Sequence, residues 1–260
     1  MRKQSYDNAA FSKFDQEQER LNRQASILKE QELQWLIRQG IRQTDRVLDL
    51  GCGNGQTTAM LSEYLSAGSI TGVDINTSFV AQAQERFRCH NLVYQQGSAY
   101  ELEQFPAFDF IYSRLLFQHL SEPALALHQV WERLVPGGHC CIIDVNDDWL
   151  FLHPSLPAFD ELVQAGIRQQ QLSGGNRHIA AELPLLMRKE GFLDIRIEII
   201  PFSSLQVGLE AFLDITLSFR ANMIPSLMPL YQQVRQTLLA NVADWFGMMG
   251  VFVITARKPG

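Results

Sequence analysis

The segment Val47-Leu48-Asp49-Leu50-Gly51-Cys52-Gly53-Asn54-Gly55 constrains the fold most strongly. A short apolar strand, Arg46–Leu50, runs straight into three glycines at alternate positions, and a helical pattern follows over 55–66. Glycine lets a backbone turn tightly and approach a ligand with no side chain in the way. The alternation then repeats. Ser69–Asp74, Leu92–Gln95, Phe108–Ser113 and His139–Val145 read as strands. Helices are expected over 78–89, capped by Thr77, and from Ser121 to Leu134 with Pro123 in the first turn. Pro136-Gly137-Gly138 reads as a turn. Apolar strands separated by helices imply right-handed crossovers and therefore an α/β fold with a doubly wound, mostly parallel sheet.

Flanking segments follow other patterns. Residues 1–14 read as loosely ordered, and 15–39 as an amphipathic helix carrying Leu21, Ala25, Leu28, Trp35 and Leu36. Together 1–44 form an expected N-terminal helical cap. Residues 45–146 are the expected ligand-binding core. Beyond it, 147–178 reads as helical stretches broken at Ser173-Gly174-Gly175, and 180–190 as a helix ended by Gly191. Ile195–Ile200 and Met249–Ala256 read as strands, with helices punctuated by Pro225 and Pro229 over 205–246. The remainder, 147–260, thus completes the core with two helical insertions, 147–178 and 205–246. Insertions of that length usually carry function or assembly.

Composition narrows the function. The chain has 260 residues, 46% hydrophobic and 19% charged, which suits an ordered globular protein. Its net charge of −6 argues against a nucleic-acid partner. Four cysteines, Cys52, Cys89, Cys140 and Cys141, form no CxxC pair and read as buried thiols of a reducing compartment. MRKQSYDNAAFSKF lacks the apolar stretch of a secretory signal, and no run of 18 apolar residues exists, so a cytoplasmic location without membrane insertion is expected. The oligomeric state is not readable from the sequence.

The glycine turn lies beyond the carboxyl end of a strand, where open α/β sheets bind ligands. Asp74 ends the second strand, and a carboxylate there can accept from both hydroxyls of a ribose. Turn and acid together specify a nucleoside. The alternative is a turn that merely permits close helix–strand packing, with Asp74 a solvated strand end. The pattern is G-x-G-x-G, with Gln56 where a dinucleotide fingerprint needs its third glycine, and no P-loop G-K-[ST] follows.

VLDLGCGNG at 47–55, VDIN at 73–76, FDFIYSRLLFQHL at 108–120 and RLVPGGHCCIID at 133–144 resemble the class I S-adenosylmethionine-dependent methyltransferases in order and spacing, over about 45–145. GFLDIRIE and VFVITARKP are similar to the two closing strands of that fold. Within the family the similarity is to the small-molecule branch that includes ubiquinone/menaquinone biosynthesis-like enzymes. The resemblance implies a seven-stranded Rossmann-like sheet with an antiparallel last strand and S-adenosylmethionine as cofactor; the helical insertions are the expected substrate lid. It implies that Gly51, Cys52, Gly53 and Gly55 contact the methionyl part, that Asp49 orders the turn, and that Asp74 holds the ribose with Ile75 on the adenine. Ser98 and Ala99 replace the last two residues of the family's usual Gly-Asp-Ala near the adenine, so the backbone amide of Ala99 is the expected contact. Ser113 and Arg114 are expected beside the methionyl group.

Methyl transfer from a sulfonium is an in-line displacement, in which the protein brings the acceptor to about 3–3.5 Å and excludes water. A general base is needed only where the acceptor must lose a proton. No single catalytic residue is therefore demanded. His119 is a candidate base, or a structural histidine. Arg114 is a candidate for recognising an anionic substrate, or a structural ion pair. Asp144, Asn146, Asp147 and Asp148 read as turn and cap acids rather than a metal site. Asn176, Arg177 and His178 read as a solvated loop, with a pocket lining as the alternative. Trp149, Phe151, Phe212, Phe219 and Trp245 are cavity-wall candidates, read as core at helical spacing. Arg20, Arg23 and Gln24 either face the cofactor or lie on the surface. Arsenite chemistry is disfavoured by the placement of Cys52, Cys140 and Cys141. A small-molecule methyltransferase leads. A non-catalytic sensor or scaffold that binds S-adenosylmethionine or S-adenosylhomocysteine is the alternative, and an oxidoreductase is more distant. Ser113-Arg114-Leu115-Leu116 lacks the N/D-P-P-Y/F motif of nucleic-acid methyltransferases.

Overall fold

The computed structural model describes residues 32–260, so the expectations for 1–31, including Arg20, Arg23 and Gln24, lie outside the described residues. Residues 32–38 form helix α1. Then follow β1 (Arg46–Leu50), α2 (Gln56–Tyr64), β2 (Ser69–Asp74), α3 (Thr77–Arg86), β3 (Leu92–Gln96), β4 (Phe108–Arg114), α4 (Pro123–Arg133) and β5 (Leu134–His153). The second half holds α5 (Pro157–Leu172), α6 (Ile179–Glu190) and β6 (Leu193–Ser203). Short helices α7 (Ser204–Val207), α8 (Leu209–Leu213) and α9 (Phe219–Met223) lead to α10 (Met228–Ala240) and β7 (Phe246–Arg257).

The strands form one seven-stranded sheet in the order β3-β2-β1-β4-β5-β7-β6. β1 to β5 pair in parallel, and β7 runs antiparallel to both β5 and β6. Alternation along the strands feeds two apolar layers. Val47, Phe110, Tyr112, Cys141 and Ile143 face one layer, completed by Phe159, Phe212 and Leu238 of the insertions. Leu48, Leu50, Ile111 and Ile142 face the other, against α4 and α6. Each fully buried leucine there contributes about 2 kcal/mol. Among the described residues, no helix is long and apolar enough to cross a membrane.

Several local expectations need correction. Asn76, not Thr77, caps α3: its side chain accepts from the amides of Ser78 and Phe79. Glu122, not Ser121, occupies the cap of α4, and Pro123 starts the helix without a side-chain cap. The stretch Pro136–Gly138 lies within β5, whose pairing with β4 shifts register between Phe108 and Phe110. β5 also continues past Val145 as far as His153, pairing with Phe246–Met249 after a register shift. The first helical insertion therefore starts at Pro157, not at 147. Trp149 and Phe151 lie on this strand extension with 42% and 40% exposure, outside the core expected for them. Extended pairing with β7 has overridden a locally ambiguous apolar pattern.

Candidate functional site

The turn after β1 is held from several sides. Gly51 and Cys52 donate their amides to Val73 O, and Gly53 donates to Asp74 Oδ2 at 2.8 Å. Asp74 Oδ1 accepts from the Asn76 amide at 2.9 Å. Burial pushes the Asp74 carboxyl above its ordinary range, and the amides of Asn76, Gly53 and Ile75 pull it back. Beneath the turn, Asp49 accepts from Thr58 Oγ1 at 2.6 Å, and burial raises its carboxyl to about 7. All three turn glycines have positive φ, but their roles differ. A Cβ on Gly55 would stand 2.6 Å from the Tyr94 hydroxyl and 2.7 Å from Ala83 Cβ, so this glycine serves packing. A Cβ on Gly53 would meet nothing within 4 Å.

A cavity opens at this turn. Gly51, Gly53, Asp74, Ile75, Asn76 and Phe79 line its rim. Its middle is bounded by Glu32 and Trp35 of α1 and by Arg114–Leu116, Gln118 and His119 after β4. Leu115 has φ 54, a strained conformation for a leucine, which turns the chain sharply and brings Gln118 and His119 to the wall. The far end is walled by Phe202, Ile215, Phe219, Met223, Met249 and Val251, with Arg177 and Thr216.

The expected site residues thus divide. Gly51, Gly53, Asp74, Ile75, Arg114 and His119 line the cavity. Asp49, Cys52, Gly55 and Ser113 stand behind it: Cys52 packs on Val80, Ala83 and Tyr94, and Ser113 Oγ donates to Leu50 O at 3.0 Å. Ser98 and Ala99 lie outside the lining; Ser98 Oγ accepts from the Tyr100 amide and Ala99 is in the core. Of the aromatic candidates, Phe219 lines the cavity, Phe212 is fully buried in the core and Trp245 is partly buried.

The reading of Arg177 as part of a solvated loop is overturned. It is 5% exposed, and its Nε and Nη2 donate to Asp147 at 2.9 and 2.7 Å. Arg220 donates to the same carboxylate, so Asp147 is a buried ion-pair centre rather than a turn acid. The two guanidiniums hold its carboxyl well below the ordinary range despite its burial. Asp144 is likewise fully buried, accepting from the Gln118 and Val145 amides, and burial raises it to about 7.

Glu32 was not anticipated. It is buried on the cavity wall, accepts from the Tyr112 hydroxyl, and lies 3.7 Å from Arg114 Nε. Burial raises its carboxyl, against the pull of Arg114. Its spacing to buried Leu36, one helical turn on, was the available signal. Arg220 gave none, since its place depends on Gly166 leaving room for its stem.

Residues 48–142 match a family model described as a methyltransferase domain. A trans-aconitate 2-methyltransferase of Deinococcus radiodurans is 34% identical over 104 residues, 40% of this chain and 39% of that one. A ubiquinone/menaquinone biosynthesis C-methyltransferase of Proteus mirabilis is 34% identical over 114 residues, 41% of this chain and 45% of that one. The matches thus span less than half the length of these two relatives. The solved structure of Haemonchus contortus phosphoethanolamine N-methyltransferase 2, bound to phosphomonomethylethanolamine and S-adenosylhomocysteine, aligns with TM-score 0.59. That alignment has 24% identity over 89% of this chain and 53% of that one, a likeness of fold. The matched segment is thus similar to a methyltransferase domain, and the sheet that carries it has a fold like that of the solved methyltransferase.

Proposed function

We propose that the protein transfers a methyl group from S-adenosylmethionine to a small molecule. One observation carries this reading: a single cavity joins the glycine turn and Asp74 to a largely apolar compartment built by the insertions. The residues present fit the cofactor. Gly53 leaves open space where any other residue would place a Cβ, and the Asp74 carboxylate stands at the same rim. Asp74 would hold the ribose and Ile75, 44% exposed, would cover the adenine. Gly51 and Gly53 would admit the methionyl part, supported from behind by Asp49, Cys52, Gly55 and Ser113.

When bound, the cofactor supplies a methyl group on a sulfonium, already activated for displacement. The protein's own task is then positioning and the exclusion of water. Ile215, Phe219 and Met223 of the second insertion act as the lid over the acceptor. His119, on the same wall, takes the proton that a hydroxyl acceptor would release. The small-molecule class is supported by the names of the trans-aconitate and quinone relatives and by the apolar enclosure.

The test is incubation with methyl-labelled S-adenosylmethionine and a fraction of small metabolites. The expected result is S-adenosylhomocysteine accumulating only when metabolites are present, with label in a small product. Binding of S-adenosylhomocysteine without any turnover would instead favour a non-catalytic binder.

A further inference from the structure

We infer that the outer edge of β6 is an interface between two copies of this chain, which pair antiparallel about Ile197 and join their sheets. The pairing does not depend on the reaction the cavity serves.

The edge is open along its middle. β6 is one margin of the sheet, with β7 on its inner side and no strand on its outer side among the described residues. The opposite margin, β3, is five residues long and ends in the exposed Gln95 and Gln96. β6 runs for 11 residues and exposes Ile197 at 50% and Ile199 at 39%. A long edge strand with exposed isoleucines is a template for another strand, and proteins normally blunt such edges. In β6 the blunting is confined to the two ends. Asp194, at φ 54, sits in the register shift between Leu193 and Arg196, and Pro201 has no N–H to offer. Between them Ile195–Ile200 is regular strand.

The sequence of that stretch fits itself. Ile195-Arg196-Ile197-Glu198-Ile199 reads the same from either end, except that the two charged positions have opposite sign. With Ile197 opposite Ile197 in an antiparallel pair, each Arg196 stands opposite Glu198 of the other copy, and such cross-strand pairs attract. Sliding the partner by two residues sets Arg196 against Arg196 or Glu198 against Glu198. Sliding by one puts the apolar face of one copy beside the charged face of the other. Glu198 already accepts from Gln39 Nε2 at 2.8 Å through one oxygen, and a carboxylate accepts at both. Asp194 is engaged by Arg257 at 2.9 Å and takes no part in the charge pairs.

The apolar face is complementary too. Ile195 packs against the core layer that α6 covers, whereas Ile199 is exposed. Antiparallel pairing sets the covered Ile195 of each copy against the bare Ile199 of the other. A Cβ on Gly250 would stand 3.0 Å from Trp149 Cβ and 3.2 Å from Ile199 Cγ2, so exposed Trp149 widens the same surface. A two-fold axis through Ile197 makes the contact isologous, so assembly closes at two chains.

The test is sedimentation velocity of the full chain up to about 100 µM, since a dimer forms by mass action. The expected species has twice the 29.6 kDa mass of the chain. Arg196→Glu and Glu198→Arg each set like charges opposite one another and should each weaken dimerisation about tenfold or more. An equimolar mixture of the two variants restores both charge pairs between unlike chains and should dimerise again. Both positions are exposed, so each variant should keep the native circular dichroism and Tm. Ile197→Lys, which sets two ammonium groups on the axis, is a second disruption and should give a monomer. A monomeric native chain over the whole range would overturn the proposal, as would a dimer that none of these substitutions weakens, or a loss that mixing does not repair.

Discussion

The Gly53 amide and the Asp74 carboxylate are joined by a 2.8 Å hydrogen bond, so the turn after β1 and the tip of β2 form one rigid lip. The same carboxylate holds the Asn76 amide that begins α3. Asp74 therefore orders the rim and presents its oxygens to the cavity at once. Asp74→Ala is expected to weaken S-adenosylhomocysteine binding by about 10- to 150-fold, the equivalent of one charge-assisted bond worth about 1.5–3 kcal/mol. Titration calorimetry checks this, and unchanged affinity would remove the ribose role.

The glycines of the turn should separate stability from binding. Gly55→Ala meets Tyr94 and Ala83 at a positive φ, so a loss of about 2–4 kcal/mol is expected in urea unfolding. Gly53→Ala meets no protein atom and should cost only about 1 kcal/mol through its backbone conformation, yet it should weaken cofactor binding. Equal effects of the two substitutions on both measurements would contradict the division.

The buried triad gives a stability contrast. Asp147→Ala removes the carboxylate that two buried guanidiniums share and should destabilise the protein by about 3–5 kcal/mol. Arg177→Gln leaves an Asp147–Arg220 pair and should cost clearly less. Chemical denaturation of both variants decides, and a larger loss in Arg177→Gln would refute the pairing.

Stability should fall as pH rises from about 4 to 7. Asp49 and Asp144 are held protonated up to about 7 by burial, whereas in the unfolded chain they ionise near their ordinary value of 3.8. Between these values the native state binds more protons, so raising the pH favours unfolding. Asp147, whose carboxyl is lowered, has the opposite sign but loses its contribution only below pH 3.8. Asp144→Asn should flatten the dependence of Tm on pH over this window. An unaltered slope would show that Asp144 is ionised in the native protein.

The strand–turn–helix core was legible because each signal is local: alternation sets β1 to β4, and glycines at alternate positions have few other uses. Asp74 and Ile75 were legible for the same reason, as they follow a strand end. The β5 extension was not, because Trp149 and Phe151 become a strand only through pairing with β7, far along the chain. Glu32 escaped, and Arg177 was read as a pocket residue only in second place, for a related reason. A charged side chain is buried when a distant partner neutralises it, here Asp147 and Arg114, and no local pattern reports such a partner.

The lip formed by Gly51, Gly53 and Asp74 would hold S-adenosylmethionine, with the methionyl part on the glycines and the ribose on Asp74. Titration calorimetry of the whole chain with S-adenosylhomocysteine, and separately with NAD, tests it most directly. Saturable binding of one S-adenosylhomocysteine per chain, with no heat from NAD, is the predicted result; saturable binding of NAD with none of S-adenosylhomocysteine would contradict it.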